Sequence, residues 1–250
     1  MFVEDGYEVH RGFHDKQLIA ECRKYILSKR KKGDVHENAV EIMEAFQKTD
    51  LYEAVVTNKK MLRLMQKMLG PDVCLLGYDA LWINVPKDRN PVLLKGIHSD
   101  AWTGTSVNTI FAKVFFTDVD EFNGMSVCPG SHLQGMIPVR NRAVDADVEF
   151  ESVNLSKIKA GDVLIWHALL LHSTTGHSDK NVRISMTSRY KSTESPFSSQ
   201  ERALGYRTLS VGPLNKINRI IGNDYLTPLR TYGGHVGIDK RMKIYVAPAE

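Results

Sequence analysis

Apolar residues recur at helical spacing through roughly the first seventy positions and at strand spacing thereafter. Between residues 15 and 31, Leu18, Ile19, Cys22, Tyr25 and Ile26 share one stripe of an α-helical repeat. Residues 37 to 49 and 58 to 69 predict two further helices. The second carries Met61, Leu62, Leu64, Met65, Met68 and Leu69, a stripe expected to pack into the core, and Gly70-Pro71 ends it. From Val73 to Tyr190 the pattern changes to short apolar runs broken by turn residues. Val92 to Ile97 predicts a short buried strand ending at His98. Trp102 to Ser106 follows as a loop, then Val107 to Phe116 as a long strand. Asp162 to Trp166, entered through Ala160-Gly161, and Leu169 to Ser173 predict the next two strands. Asn181 to Tyr190 closes the set with a clear alternation: Val182, Ile184, Met186 and Ser188 point one way, Arg183, Ser185, Thr187 and Arg189 the other. A polar face on a strand in the most hydrophobic part of the chain predicts a barrel that holds a ligand rather than a dry core.

This pattern predicts one domain over residues 1–250: a helical N-terminal part (1–72), a barrel core (73–190) and a tail (191–250). The Ser/Pro-rich stretch Ser192 to Ser199 opens the tail. A helix is expected near Leu214 to Ile221, and Asp224 to Pro228 and Gly233-Gly234 read as loops. The tail is expected either to cover the barrel mouth or to form a dimer contact, so the chain is read as a monomer or a homodimer. The architecture expected is a double-stranded β-helix of the jelly-roll or cupin type, with the N-terminal helices on the apolar side of one sheet. A doubly wound α/β fold would need helical periodicity between residues 75 and 190, and that stretch lacks it.

Composition narrows the class. Hydrophobic residues make up 42% and charged residues 25% of the chain, as in soluble globular proteins. No apolar run is long enough to span a bilayer, and Met1 to Gly6 does not read as a signal peptide. Cys22, Cys74 and Cys128 are odd in number and far apart, which argues for reduced thiols, a cytoplasmic setting and neither a disulfide scaffold nor a zinc site. The net charge is +4. Basic residues cluster between Arg23 and Lys32, just before Gly33, and read as the solvated end of a helix. No aromatic residues interleave with them, so a nucleic-acid surface is not expected.

The chemistry concentrates in His98-Ser99-Asp100. A His-x-Asp pair plus a distant His can present two imidazoles and one carboxylate to a single metal and leave coordination positions open, the arrangement of non-haem Fe(II) oxygenases. A second pair, His177 and Asp179, lies among turn residues and is not favoured. His167, His172 and His177 are the candidates for the distal ligand. His172 is preferred, because its strand is expected to form a hairpin with the one whose polar face lines the interior. His167 reads as a turn residue or a support of the ligands. Arg183, eleven residues after His172, could supply a fixed cation for a dicarboxylate.

His98-Ser99-Asp100, Asn123-Gly124, Pro129-Gly130-Ser131-His132, Gly161-Asp162, His172 and Arg183-Ile184-Ser185 occur in an order and at spacings that resemble the phytanoyl-CoA dioxygenase superfamily of Fe(II)/2-oxoglutarate enzymes. The resemblance covers roughly residues 75 to 190. His98 to Gly104 is also similar to members from bacterial carbohydrate and secondary-metabolite clusters. The resemblance implies Fe(II) held by His98, Asp100 and His172, with 2-oxoglutarate as co-substrate. Its far carboxylate would meet Arg183, helped by Ser185 and by Thr109 from a facing strand. O2 would bind last, and succinate and CO2 would leave. Lys113 and Arg189 are the alternative cations. A halogenase of this family would leave a halide the place that Asp100 fills. A barrel that binds without oxidising, and an enzyme acting on an acyl-CoA, are the rival readings. Trp102, Thr103 and Ser106 are expected at the mouth, and these polar or amphipathic groups suit hydroxylation or related oxidation of a polar small molecule.

Overall fold

A computed structural model describes residues 1–30, 35–84, 96–119, 124–140, 143–144, 149–174 and 182–221. Helices α1 (Phe2–Asp5), α2 (Lys16–Ser28), α3 (Val35–Phe46), α4 (Asp50–Val56) and α5 (Lys59–Leu69) come first, and α6 (Ser199–Leu204) and α7 (Pro213–Ile220) follow the strands. The Asp15 side chain accepts from the N–H groups of Gln17 and Leu18 and so starts α2. Asn58 does the same for Met61 at the head of α5, and Gly70 ends that helix at a positive φ of 86°.

The larger sheet runs β1 (Tyr7–His10), β9 (Val163–His167), β4 (Thr109–Phe115), β11 (Arg183–Ser192), β2 (Val73–Leu76) and β12 (Tyr206–Thr208), with β3 (Ala80–Asn84) also paired to β11. The smaller sheet is β10 (His172–Thr174), β5 (Met125–Val127) and β8 (Val153–Leu155); β6 (Val139–Arg140) and β7 (Ala143–Val144) form a ribbon of their own. All pairings are antiparallel. The two facing antiparallel sheets are those of the expected double-stranded β-helix.

Strand alternation sorts the side chains. Ile110, Ala112 and Val114 on β4, Val163 and Ile165 on β9, and Ile184, Met186 and Tyr190 on β11 are buried beneath α2 to α5, against Cys22, Ile26, Phe46, Val55 and Met65. The Tyr190 hydroxyl donates to the Val56 carbonyl at 2.8 Å and ties helix layer to sheet. The opposite face carries Phe111, Phe115, Leu164 and Trp166, which meet Met125, Val127 and Leu155 of the smaller sheet. The expected helices therefore cover the outer face, and the interior between the sheets is left for the polar residues of β11.

Three sequence expectations change. Gly96 and Ile97 are exposed, Ile97 at 42%, so His98 is not the end of a buried strand there; Val92 to Lys95 lie outside the described residues. Ala168 and Leu169 form a turn, Leu170 and Leu171 are irregular, and the strand begins only at His172. β10 is not hairpinned to β11: it pairs with β5 in the other sheet, so His172 reaches the interior from across it. His177, Asp179, Asn123 and the stretches 224–228 and 233–234 lie outside the described residues. The strand β1 and the helix α4 were not anticipated, because segments of four and seven residues show too little periodicity to be read.

The tail is fastened by a buried ion pair. Lys191, on the inner face at the end of β11, lies 3.1 Å from Glu201 of α6, with side-chain exposures of 0% and 1%. Lys191 also donates to Ser106 Oγ and to the Pro196 carbonyl. Glu201 accepts from the N–H groups of Ser106 and Ser198 and from Thr109 Oγ1. Removing one partner leaves the other charge buried and unpaired, which costs about 3–5 kcal/mol. Glu201→Ala should lose that much in urea denaturation, and Lys191→Met with Glu201→Leu should recover most of it.

His14 carries a second liability. Burial lowers its pKa to about 4 from an ordinary 6.5. The unfolded chain then binds the extra proton first, so stability should fall as pH drops from about 6.5 to about 4. Melting temperatures across that range should drop less for His14→Gln; an unchanged profile would remove His14 from the account.

Candidate metal centre

His98 and His172 face one another through an isolated bridge: each backbone N–H donates to the other's carbonyl at 2.9 Å. Their rings lie 4.3 Å apart between centroids. Nδ1 of His98 is 2.8 Å from the Gly96 carbonyl, and Nδ1 of His172 is 3.0 Å from the Leu170 carbonyl. A carbonyl only accepts, so both protons sit on Nδ1 and ligation falls to Nε2. His172 Nε2 stands 3.6 Å from Asp100 Oδ2. One donor atom from each of His98, Asp100 and His172 lies within 4.8 Å of the others. Two neutral imidazoles and a carboxylate around one point fit Fe(II).

The supports come from the sequence around each ligand. Ser99 Oγ donates to the Ala168 carbonyl at 2.9 Å, and Ala101 N–H donates to the same oxygen, so the first pair is moored to the turn after β9. The Ser131 hydroxyl accepts from Leu171 N–H at 2.8 Å and holds the residue before His172. The Pro-Gly-Ser-His motif thus braces the distal ligand. Gly161-Asp162 has a different task. Asp162 accepts from Arg11, from Gly12 N–H and from Lys159 N–H, and so pins the N-terminal segment beside β9. Trp166 Nε1–H donates to Asp100 Oδ2 at 2.9 Å. Burial works against the Asp100 charge, but His172, His98 and this indole N–H outweigh it and hold the carboxyl below its ordinary range. Asp100 is therefore ionised at neutral pH.

These groups open on a cavity of about 550 Å³ that Arg183, Lys113 and Arg189 also line. Arg183 is 3% exposed. Its Nε and Nη2 donate to Asn84 Oδ1 at 3.1 and 2.7 Å, and its Nη1 to the Gly124 carbonyl at 2.9 Å. These contacts fix the guanidinium against the end of β3 and the residue before β5. Ser185, two residues on, is buried, and its Oγ has no hydrogen-bond partner among the described residues.

The remaining anticipated residues separate. Thr103 lines the cavity. Trp102 instead donates its indole N–H to the Ile137 carbonyl and packs beside Cys128 and Leu171. Ser106 and Thr109 belong to the Lys191–Glu201 network at the far end of β11 from Arg183. His167 accepts from Leu169 N–H through Nδ1 and sits 5.4 Å from the His132 ring; burial lowers its pKa to about 4. It shapes the turn and does not join the triad. The roles of Trp166 and Asn84 were missed. For Trp166 a signal existed: a buried indole N–H needs an acceptor, and Trp166 alternates onto the same face as Leu164.

Compared with known families, residues 2–185 match the phytanoyl-CoA dioxygenase (PhyH) family. The chain belongs to that family. It is accordingly an enzyme of the non-haem iron, 2-oxoglutarate-dependent class. No curated protein matches the chain. Among solved structures, it resembles the epimerase SnoN in complex with Fe3+, alpha-ketoglutarate and nogalamycin RO, with 20% identity and a TM-score of 0.62 over 78% of this chain and 82% of that one. The non-haem monooxygenase ThoJ in its apo form gives 19% and 0.63 over 84% and 82%. The carbocyclase SnoK from nogalamycin biosynthesis gives 19% and 0.56 over 78% and 83%. At these identities the likeness establishes the shared fold.

The choice of distal ligand is open to direct test. His172→Ala should abolish tight Fe(II) binding and succinate formation while far-UV circular dichroism stays as in the parent protein. His167→Ala should keep iron. The reverse pattern, measured as bound iron per chain, would transfer the ligand role to His167.

Proposed function

We propose that this PhyH-family protein hydroxylates or otherwise oxidises a polar small molecule, with His98, Asp100 and His172 holding Fe(II) and Arg183 receiving the far carboxylate of 2-oxoglutarate. The observation that carries the reading is the meeting of the triad and a buried arginine in one cavity. When bound, the iron supplies O2 activation and hydrogen abstraction, coupled to decarboxylation of 2-oxoglutarate to succinate and CO2.

The chain's own residues do the rest. Asn84 and Gly124 fix the plane of the Arg183 guanidinium, so a carboxylate meets a preset fork. Ser185 Oγ, buried on the same strand face, offers a hydroxyl to that carboxylate. The Asp100 charge is kept by Trp166 and the two imidazoles. Phe111 and Trp166, stacked 5.2 Å apart, put apolar surface beside the centre and exclude water from it.

The cavity supports a polar substrate. Thr103, Gln47, Glu44, Arg189 and Gln200 bring polar groups to its lining beside apolar ones such as Val40, Met43 and Trp82, and leucine and phenylalanine contribute only Leu81 and Phe111. A long acyl chain would need an apolar tunnel. SnoN and SnoK are both described from nogalamycin biosynthesis, which supports a secondary-metabolite intermediate as the substrate class here.

The experiment is succinate release from 2-oxoglutarate with Fe(II), alone and with candidate substrates. Arg183→Ala should raise the 2-oxoglutarate concentration for half-maximal rate by about 100-fold, on the order of 3 kcal/mol. Iron binding should survive. An unchanged requirement would sink the Arg183 assignment, and no succinate under any condition would sink the activity.

A further inference from the structure

Arg189 stands apart from the other cations of the cavity. Its guanidinium carbon lies 4.7 Å from the Tyr78 ring centroid and 5.2 Å from that of Phe111. Among the described residues it makes no hydrogen bond and no ion pair, although its charge is felt by both Asp79 and Asp100. Two rings hold the plane of the guanidinium, and its N–H donors are left to whatever enters the cavity.

A second observation lies at the same cavity: Gln200 Oε1, on α6, is buried and has no hydrogen-bond partner among the described residues. Buried polar groups are ordinarily satisfied, so an acceptor left open there points to a ligand that completes it.

The strand register separates Arg189 from the 2-oxoglutarate site. Arg189 is paired with Phe111, and Phe111 with Trp166, whose indole holds Asp100. Arg183 lies six residues along the same face, roughly 20 Å at the rise of a strand. One five-carbon diacid cannot occupy both arginines.

We propose that Arg189, clamped between Tyr78 and Phe111, binds an anionic group of the substrate, a carboxylate or an equally acidic planar oxygen pair, while Gln200 Oε1 accepts from a neighbouring hydroxyl or amino group. The substrate class is then a hydroxylated or aminated organic acid. This rests on the oxygenase reading above and deepens it by naming the charged end of the substrate. Arg189 is a specificity residue: it fixes which part of the molecule lies over the metal.

The test uses binding and needs no turnover, so it can fail while succinate formation succeeds, and the reverse. The full chain is loaded with Zn(II) and saturated with 2-oxoglutarate, which occupies Arg183. Benzoate and benzamide, isosteric and differing in charge, are the probes, titrated by ligand-observed NMR. The wild type should bind benzoate at least about tenfold more tightly than benzamide. Arg189→Gln should bind the two alike, and Arg189→Lys, which keeps the charge without the planar fork, should fall between. Equal binding of the two probes by the wild type would overturn the proposal without recourse to any variant. So would a benzoate preference that persists in Arg189→Gln, or displacement of benzoate by further 2-oxoglutarate, which would place the probe at Arg183.

Discussion

The reciprocal backbone hydrogen bonds between His98 and His172 are the constraint on which the site depends. They join a loop to a strand of the smaller sheet across more than seventy residues of chain, and they need no metal to form. Two imidazoles are thereby placed side by side, and each is stopped from turning by a carbonyl two residues earlier in its own backbone. Asp100 follows on the 3-10 turn from Asp100 to Thr103, and Trp166 reaches it from the larger sheet. The donor set is thus assembled by backbone and indole hydrogen bonds, which is the preorganisation a labile ion requires.

The second constraint is the two-faced character of β11. Its outward face, Ile184, Met186 and Tyr190, carries the helical layer. Its inward face places Arg183, Arg189 and Lys191 between two sheets, where an unsatisfied charge would be costly. Each is accommodated differently. Arg183 meets the Asn84 side chain and the Gly124 carbonyl, Arg189 has aromatic rings, and Lys191 has Glu201. The Lys191–Glu201 ion pair is the one that fastens the tail.

Much of this was legible in the chain. The alternation from Val182 to Arg189 identified both faces of β11, and the spacing of His98, Asp100 and His172 identified the triad that the geometry assembles. The long helices were readable from their apolar stripes. What was not legible depends on contacts between sheets. The Val92 to Ile97 run looked like a buried strand because apolar residues alone cannot say whether a partner exists, and Ile97 is exposed. The hairpin expected between His172 and Arg183 followed chain order, whereas the facing-sheet topology sends the two strands apart. Thr109 was sought beside Arg183 because strand pairing alone does not tell which end of a neighbour a residue meets. Register puts it opposite Lys191.

The division of labour within the cavity follows from which elements line it. The groups suited to iron and 2-oxoglutarate sit on or between strands: Asp100 against β9, His172 on β10, Arg183 and Ser185 on β11. Strands are held by ladders, and the edge strand β10 is further tied to His98 by the isolated bridge. The outer wall comes from elsewhere: Ala39, Met43 and Gln47 from α3 and just after it, Tyr78 and Asp79 from the link between β2 and β3, and Gln200 from the tail helix. These segments are joined to the barrel by side chains, among them the Tyr52–Asp79 and Lys191–Glu201 contacts. They can change in composition without disturbing the backbone bridge that places His98 and His172. A fold divided this way permits one oxidant to be offered to differently shaped substrates. Epimerase, carbocyclase and monooxygenase are the activities given to three neighbours that share this fold at about one-fifth identity. The outcome of hydrogen abstraction depends on what lies next to the carbon that loses it, and here that is decided by the wall that Arg189 and its aromatic clamp help to form.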